Sequence, residues 1–443
     1  VIDDSPREGS MRQTRYDAID RRSALQGALA AGVALPFLGG RAGAQSADSI
    51  RIWTFMSAEG QSPREKVFKA LIDDFQAKSK VKVVVESQPF QELETKFVAA
   101  VAQKRAPDLV WLRDTFLSLV VDRGGLADLN TELSPEFRQQ ALPDMFNVFT
   151  QKSVFDGKRV SLPIWPSPAQ IIFYRKDALR EIGLEAPPLG WTAFVDVAGK
   201  LTKGTRIGLG LPTSDNSVSA LVNVMSGFGP SIFDPATGRI DLTGAEAVEA
   251  AKTVRDLVAR GAVSKTLLNA MGDDIQDQFA AGRFAMAQAF APRFQQYQKI
   301  AAGYDPKELA VSAWPSFGSR PPAVLLGPYW TVGLASTSQN KAAAVAFLES
   351  MFSPAASMKW AKEASLIPDR RSVMSDPWFN TSDAAVTAAF FKLLSGDGAF
   401  VFPQRVPDIT KLFNVLNTSL QEIIGTDEKV EPILARAKST LGW

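Results

Sequence analysis

The chain of 443 residues contains neither histidine nor cysteine. Without cysteine it has no disulfides, no thiolate nucleophile and no Cys-ligated zinc or iron-sulfur site. Without histidine it lacks the usual neutral-pH base and the Ser-His-Asp triad. Carboxylate or lysine chemistry survives that exclusion. A dominant charge is missing too: 49 basic against 47 acidic residues leave a formal +2, so there is no long-range pull toward nucleic acid or an acidic membrane. No GxxxxGK[ST] phosphate loop occurs, which argues against ATP hydrolysis, and no cofactor is expected. What is present is length, with nine tryptophans and 28 phenylalanines. That is more chain than one simple core needs, so two domains are expected.

The first 44 residues read as an export signal rather than as part of the fold. Asp20-Arg21-Arg22-Ser23 precedes a 15-residue apolar run from Ala24 to Leu38, and Ala42-Gly43-Ala44 supplies a small-x-small cleavage site. The run is too short to span a bilayer. Paired arginines before a modestly apolar segment resemble a twin-arginine signal, although Asp20 and Ala24 depart from that pattern. Cleavage after Ala44 would leave 399 nearly neutral residues. Met11 is an alternative start.

From Ser49 onward, short apolar strands alternate with amphipathic helices, which predicts a mostly parallel sheet covered on both faces. Strands are expected at 50–55, 81–86 and 108–112. Ser62-Pro63-Arg64-Glu65 gives a helix start with a serine cap, proline in the first turn and glutamate three residues after the cap. Thr243 and Glu246 form a second potential capping box, with Gly261 at the exit. Asp156-Gly157 predicts a turn, while Pro163, Pro166 and Pro168 interrupt any long element. The segments 155–179 and 310–318 read as crossings between discontinuous lobes, and such lobes can hinge.

Taken in order, IRIWTF, APDLVWL, GGLADL, FDGKRVSLPI with FYRKDAL, GLEAPPLGWTAF, FAAGRFAMAQAFAPRF and PSFG followed by LLGPYWTVGLASTSQNKAAAVAFLESMF resemble the extracellular solute-binding proteins of the carbohydrate-uptake class. These are the maltose-binding-like receptors that serve ABC importers, and the matching segments span almost all of the chain after residue 44. The resemblance implies an α/β periplasmic-binding-protein-like fold: two discontinuous α/β lobes joined by three crossings, with a hinge and an interlobe cleft that closes on a sugar. It places the first lobe at 45–164 plus about 318–345, and the second at about 168–312 plus about 346–443 with C-terminal helices. It further implies a monomer in the periplasm, delivery to ABC transporter permease subunits, and no catalysis.

Sugars present apolar C–H faces and rings of hydroxyls, so a receptor needs aromatic platforms beside amides, carboxylates or arginines. Trp53 and Glu59 lie at and just beyond the end of the first strand, where α/β lobes present ligand loops. Asp114 and Thr115 match the family's polar contact region in the first lobe; capping of the next helix is the competing role for Asp114. Trp165 could line the cleft or the hinge. Arg293 stands where relatives often place an aromatic platform, and its guanidinium raises the prospect of an anionic ligand. Gly327, Tyr329 and Trp330 lie where the family presents loop atoms to ligand, though adjacent strand residues face opposite ways. Arg370, with Arg371, resembles a late cleft loop. Trp111, Trp191 and Trp360 read as structural, and Trp378 and Trp443 carry no ligand signal. The alternatives are an anionic glycoside or a polyol as ligand, a secreted carbohydrate-active enzyme built on paired carboxylates, or a ligand-sensing module.

Overall fold

Local sequence chemistry sets the first turns of the fold. In the computed structural model, which describes residues 49–443 other than 91, 166–169, 216–217, 290–304, 328, 404 and 407, helix Pro63–Ser79 begins as its capping box requires. The Ser62 hydroxyl accepts from Glu65 N–H, and the Glu65 carboxylate reaches back to Ser62 N–H. Ser353 caps Pro354–Ala364 by accepting from Ala356 N–H, without a reciprocal carboxylate. The second expected box does not form. Helix Ala245–Ala259 starts after Gly244, and the Thr243 hydroxyl donates to Asp241 and accepts from Lys438 instead of from the helix. The export segment lies outside the described residues, and the compact unit that follows it is Gln45–Trp443.

Thirteen strands are described: β1 (Ser49–Thr54), β2 (Lys82–Ser87), β3 (Leu109–Arg113), β4 (Val154–Phe155), β5 (Lys158–Arg159), β6 (Leu162–Ile164), β7 (Ile171–Arg175), β8 (Ile207–Gly210), β9 (Phe284–Ala289), β10 (Leu309–Ser312), β11 (Val324–Leu326), β12 (Trp330–Leu334) and β13 (Ala399–Val401). One sheet has the order β2-β1-β3-β12-β6 and a second the order β10-β7-β9-β8. Two parallel-strand ribbon partners, β11 and β13, stand apart from both sheets, and β4 and β5 form a hairpin across Asp156-Gly157, both at positive φ. The expectation of a mostly parallel sheet is corrected. Only β2-β1-β3 and β8-β9 run parallel, while β12 is antiparallel to both of its neighbours and β7 to both of its own. The cause is topological: a strand that arrives from the other lobe enters the sheet from the opposite end.

Each sheet is covered on both faces. Ile50, Ile52, Trp111, Leu162 and Val332 build one core with the helices Pro63–Ser79, Lys341–Met351 and Pro354–Ala364, and Val110 and Leu112 face a smaller core with Leu93 and Phe97. Around the second sheet, Ile172, Leu209 and Met286 pack on the helices Trp191–Leu201, Ala245–Ala259 and Ile409–Gly425, while Phe173, Ala287 and Ala289 pack on Phe149, Phe279 and Phe390. The lobe boundary read from sequence therefore shifts. Residues 344–366 belong to the first core rather than the second, and chain 318–326 stays with the second until Trp330 enters the first sheet. The chain passes from the first core to the second after Trp165, returns before Trp330 and leaves again after Leu366, and Phe146 and Phe149 also reach into the second core from the stretch before β4.

Candidate functional site

In an open α/β sheet, ligands meet the loops beyond the carboxyl ends of the strands. At that edge of the first sheet, β1 runs into Phe55, β2 toward Phe90, β3 into Asp114 and β6 into Trp165. The reversed β12 begins there with Trp330, opposite both Arg113 and Ile164. The register thus gathers aromatic side chains from four separate stretches of chain.

Phe55 and Trp330 stack at 4.2 Å between centroids with 26° between planes, and Phe90 stands edge-on to both at 6.0 and 5.6 Å. Phe90 is 43% exposed, an unusual position for so large an apolar ring. The Arg64 guanidinium lies 5.1 Å over Phe55, and that of Arg113 lies 4.9 Å over Phe90 and 4.4 Å over Phe116. Arg113 is fixed by both oxygens of the buried Glu94 carboxylate, each at 2.9 Å. Beneath this layer Trp165 sits between Trp111 and Trp360, 4.9 Å from each. Trp111, Trp165 and Trp360 are buried, and so is Trp191 in the second lobe, so the three tryptophans read as structural occupy cores.

At the corresponding edge of the second sheet, the described residues include a buried network of amides around one carboxylate. Gln170 donates to Asp215 Oδ2 at 2.8 Å, Asn223 donates to Gln170 Oε1 at 3.4 Å, Trp314 donates its indole N–H to the Gln170 carbonyl at 2.8 Å, and Asn417 donates to the Asp215 carbonyl at 2.7 Å. All are buried. Both amide atoms of Gln288, with Asn223 Oδ1 and Asn417 Oδ1, have no partner. Five chain steps separate Trp165 at the first edge from Gln170 at the second, which limits the distance between them to about 18 Å. Among the described residues no group of carboxylates stands close enough to hold a metal ion.

The residues singled out from sequence divide accordingly. Trp330 joins the aromatic layer half-buried, and Trp165 lies below it with φ +52°. Glu59 is exposed in the loop after β1, and Thr115 is half-buried in the turn Asp114–Phe116. Trp53 is turned to its own sheet: its indole N–H donates to Glu86 at 2.5 Å and its ring meets Phe97. The Arg51 hydrogen bond, together with that of Trp53, holds the Glu86 carboxyl below its ordinary range against the opposing effect of burial. Asp114 neither caps a helix nor faces solvent; it is buried against Lys152 at 2.6 Å. Tyr329 is buried beside it, its phenol donating to the Phe149 carbonyl at 3.3 Å and pushed well above the usual tyrosine pKa by desolvation and by the Asp114 charge. Gly327 adopts φ +95° immediately before that pair. Arg370 binds Asp144 at 2.6 Å and the Phe352 carbonyl at 3.2 Å, which places its guanidinium in protein contacts. Arg293 lies outside the described residues. Phe55 and Phe90 went unmarked in the sequence, although their positions just past β1 and β2 are the signal that would have found them.

Comparison with known proteins follows the same lines. Residues 60–358 match the family described as bacterial extracellular solute-binding protein. A binding protein of Brucella abortus (strain 2308) is 24% identical over 345 residues, covering 76% of this chain and 79% of its own. Among solved structures, the GacH receptor of Streptomyces glaucescens GLA.O, determined without ligand and with acarbose, superposes with a TM-score of 0.71 at 20% identity over 89% of this chain and 98% of its own. A Thermus thermophilus maltotriose binding protein bound with maltotriose gives 0.68 at 21% identity over 88% and 98%.

Proposed function

Because the chain belongs to the bacterial extracellular solute-binding protein family, we propose that it captures a neutral sugar or oligosaccharide between its lobes in the periplasm and delivers it to the permease of an ABC importer. The observation that carries this reading is the aromatic trio at the carboxyl edge of the first sheet, with Phe90 exposed and Phe55 and Trp330 half-buried beside it. Aromatic rings at such an edge meet the C–H side of a pyranose on the faces that Arg64, Arg113 and the Phe55–Trp330 stack do not already cover. The second edge supports the same ligand class. Among the described residues its side-chain groups include the amides of Gln170, Asn223, Gln288 and Asn417 and the Asp215 carboxylate, groups suited to hydroxyls. Similarity to receptors for acarbose and maltotriose supports an oligosaccharide.

In this mechanism no bond is made or broken, and the product is a conformation. Ligand lands on the aromatic layer of one lobe, hydroxyls are met by the other, and the population shifts to a closed form that the permease recognises. An affinity in the micromolar range, about −8 kcal/mol, would suit capture followed by release.

Thermal-shift measurements over neutral oligosaccharides, monosaccharides, polyols and phosphorylated, sulfonated or acidic glycosides test the reading, since a ligand at a hundredfold excess over its dissociation constant adds about 2.7 kcal/mol to apparent stability. Neutral oligosaccharides should give the largest shift. Phe90→Ala should weaken that ligand by up to roughly tenfold while leaving the ligand-free melting temperature within a few degrees. Absence of any shift across every sugar would end the proposal, and a shift from the acidic glycosides alone would replace neutral ligands with anionic ones.

A further inference from the structure

Asp114 and Lys152 form the most deeply buried ion pair among the described residues, with side chains 0% and 2% exposed and 2.6 Å between Oδ2 and Nζ. Such a pair is a poor source of stability, because the desolvation of two charges consumes most of the attraction between them. Its geometry suggests another use. The second carboxylate oxygen, Oδ1, accepts Tyr329 N–H at 3.0 Å, and Asp114 N–H donates to the Tyr329 carbonyl at 3.0 Å. Asp114 thereby holds the residue directly before Trp330 by a reciprocal pair of bonds.

Lys152 ends helix Asn147–Lys152, whose Phe149 carbonyl receives the Tyr329 phenol and whose Phe149 ring meets Tyr329 edge-on at 4.7 Å. The ammonium also lies 5.7 Å from the Tyr329 ring centre and 6.0 Å from that of Phe402, just past β13. Space on the remaining side is closed as well: a Cβ on Gly327 would come within 3.2 Å of Asp114 Oδ2, at a φ of +95°. The turn into β12 is therefore fixed from the first sheet, from this helix and from the β11-β13 ribbon at once.

We propose that Asp114 and Lys152 are positioning residues for the ligand surface, holding Tyr329 so that Trp330 stacks on Phe55 where the chain enters the first lobe. The proposal rests on the reading of the aromatic trio as the sugar platform. It assigns to Asp114 a role behind the site instead of a contact with ligand.

Two charge-free replacements of the pair separate positioning from bulk stability. Asp114→Leu with Lys152→Met fills the space without an acceptor for Tyr329 N–H, and Asp114→Asn with Lys152→Gln keeps that acceptor. The leucine–methionine protein should melt within a few degrees of the wild type, yet bind maltotriose at least tenfold more weakly by calorimetry and lose the 4.2 Å stack of Trp330 on Phe55 in its crystal structure. The asparagine–glutamine protein should bind at least threefold more tightly than the leucine–methionine one. Should the apolar pair fail to fold, Gly327→Ala, which crowds Asp114 Oδ2 without altering charge, carries the same expectation for the stack. An unchanged stack in the folded variant overturns the positioning role whatever the ligand proves to be. Wild-type protein that bound no neutral sugar would instead remove the platform reading, and the two failures are thus told apart.

Discussion

Asp369 shows how far one buried group can shape the response to pH. Its side chain is enclosed where the chain leaves the first lobe, Oδ1 accepts from the Ser357 hydroxyl and Oδ2 has no partner. Burial raises its pKa to about 6, with Ser357 and Arg370 opposing the rise. A carboxyl whose folded pKa exceeds its unfolded value near 4 favours the native state in its protonated form. That contribution is complete below about pH 4 and is lost as pH climbs through 6, a difference of about 3 kcal/mol. Asp369→Asn, a neutral stand-in, should therefore be indistinguishable from the wild type at pH 4 and more stable at pH 7 by an amount of that order. Urea denaturation at the two pH values checks this, and equal stabilities at pH 7 would mean that the carboxylate is solvated or paired after all. At the same scale the sequence was only partly legible. Trp330 could be named from its strand end, whereas the partners of Asp114, Trp53 and Arg370 come from residues 38, 33 and 226 positions away.

Among the elements, those specified by contiguous residues were the readable ones. The box at Ser62 needs nothing beyond residues 62–65, and Ser62→Ala should cost about 1 kcal/mol in a denaturation experiment. The Thr243 box fails because the helix starts one residue later, after Gly244, and the Thr243 hydroxyl accepts from Lys438, 195 positions away. Strand direction was not readable at all: a strand looks the same whichever way it enters a sheet, and β12 and β7 are reversed by the route that the chain takes between lobes. The β11-β13 ribbon is the extreme case, joining residues 324–326 to 399–401. Its close approach depends on Gly398, where a Cβ would fall 1.9 Å from the Pro322 carbonyl oxygen. Gly398→Ala should accordingly destabilise by about 1–3 kcal/mol, as overpacking does, and a melting temperature equal to the wild type would show that the ribbon yields freely.

For the whole molecule, the expected behaviour is a hinge. One passage of chain between the lobes runs from Trp165 to Gln170, and small rotations about such linkers close a cleft. Ligand should reduce the radius of gyration measured by small-angle scattering, and the Phe90→Ala protein should need a correspondingly higher ligand concentration for the same change. Saturating ligand with no contraction would favour capture without closure.

The sequence by itself determined the family: αβ alternation and the ordered segments belong to the bacterial extracellular solute-binding proteins, matched over residues 60–358. Composition and segment order are properties of the chain and survive any folding. What only the tertiary structure decided is which side chains share a surface. Phe55, Phe90 and Trp330 become one platform, and Asp114 becomes the fixed point behind it, because β12 returns through the sheet antiparallel and in one register. Register is a long-range pairing choice made by the burial of whole faces, and no local stretch of residues contains it.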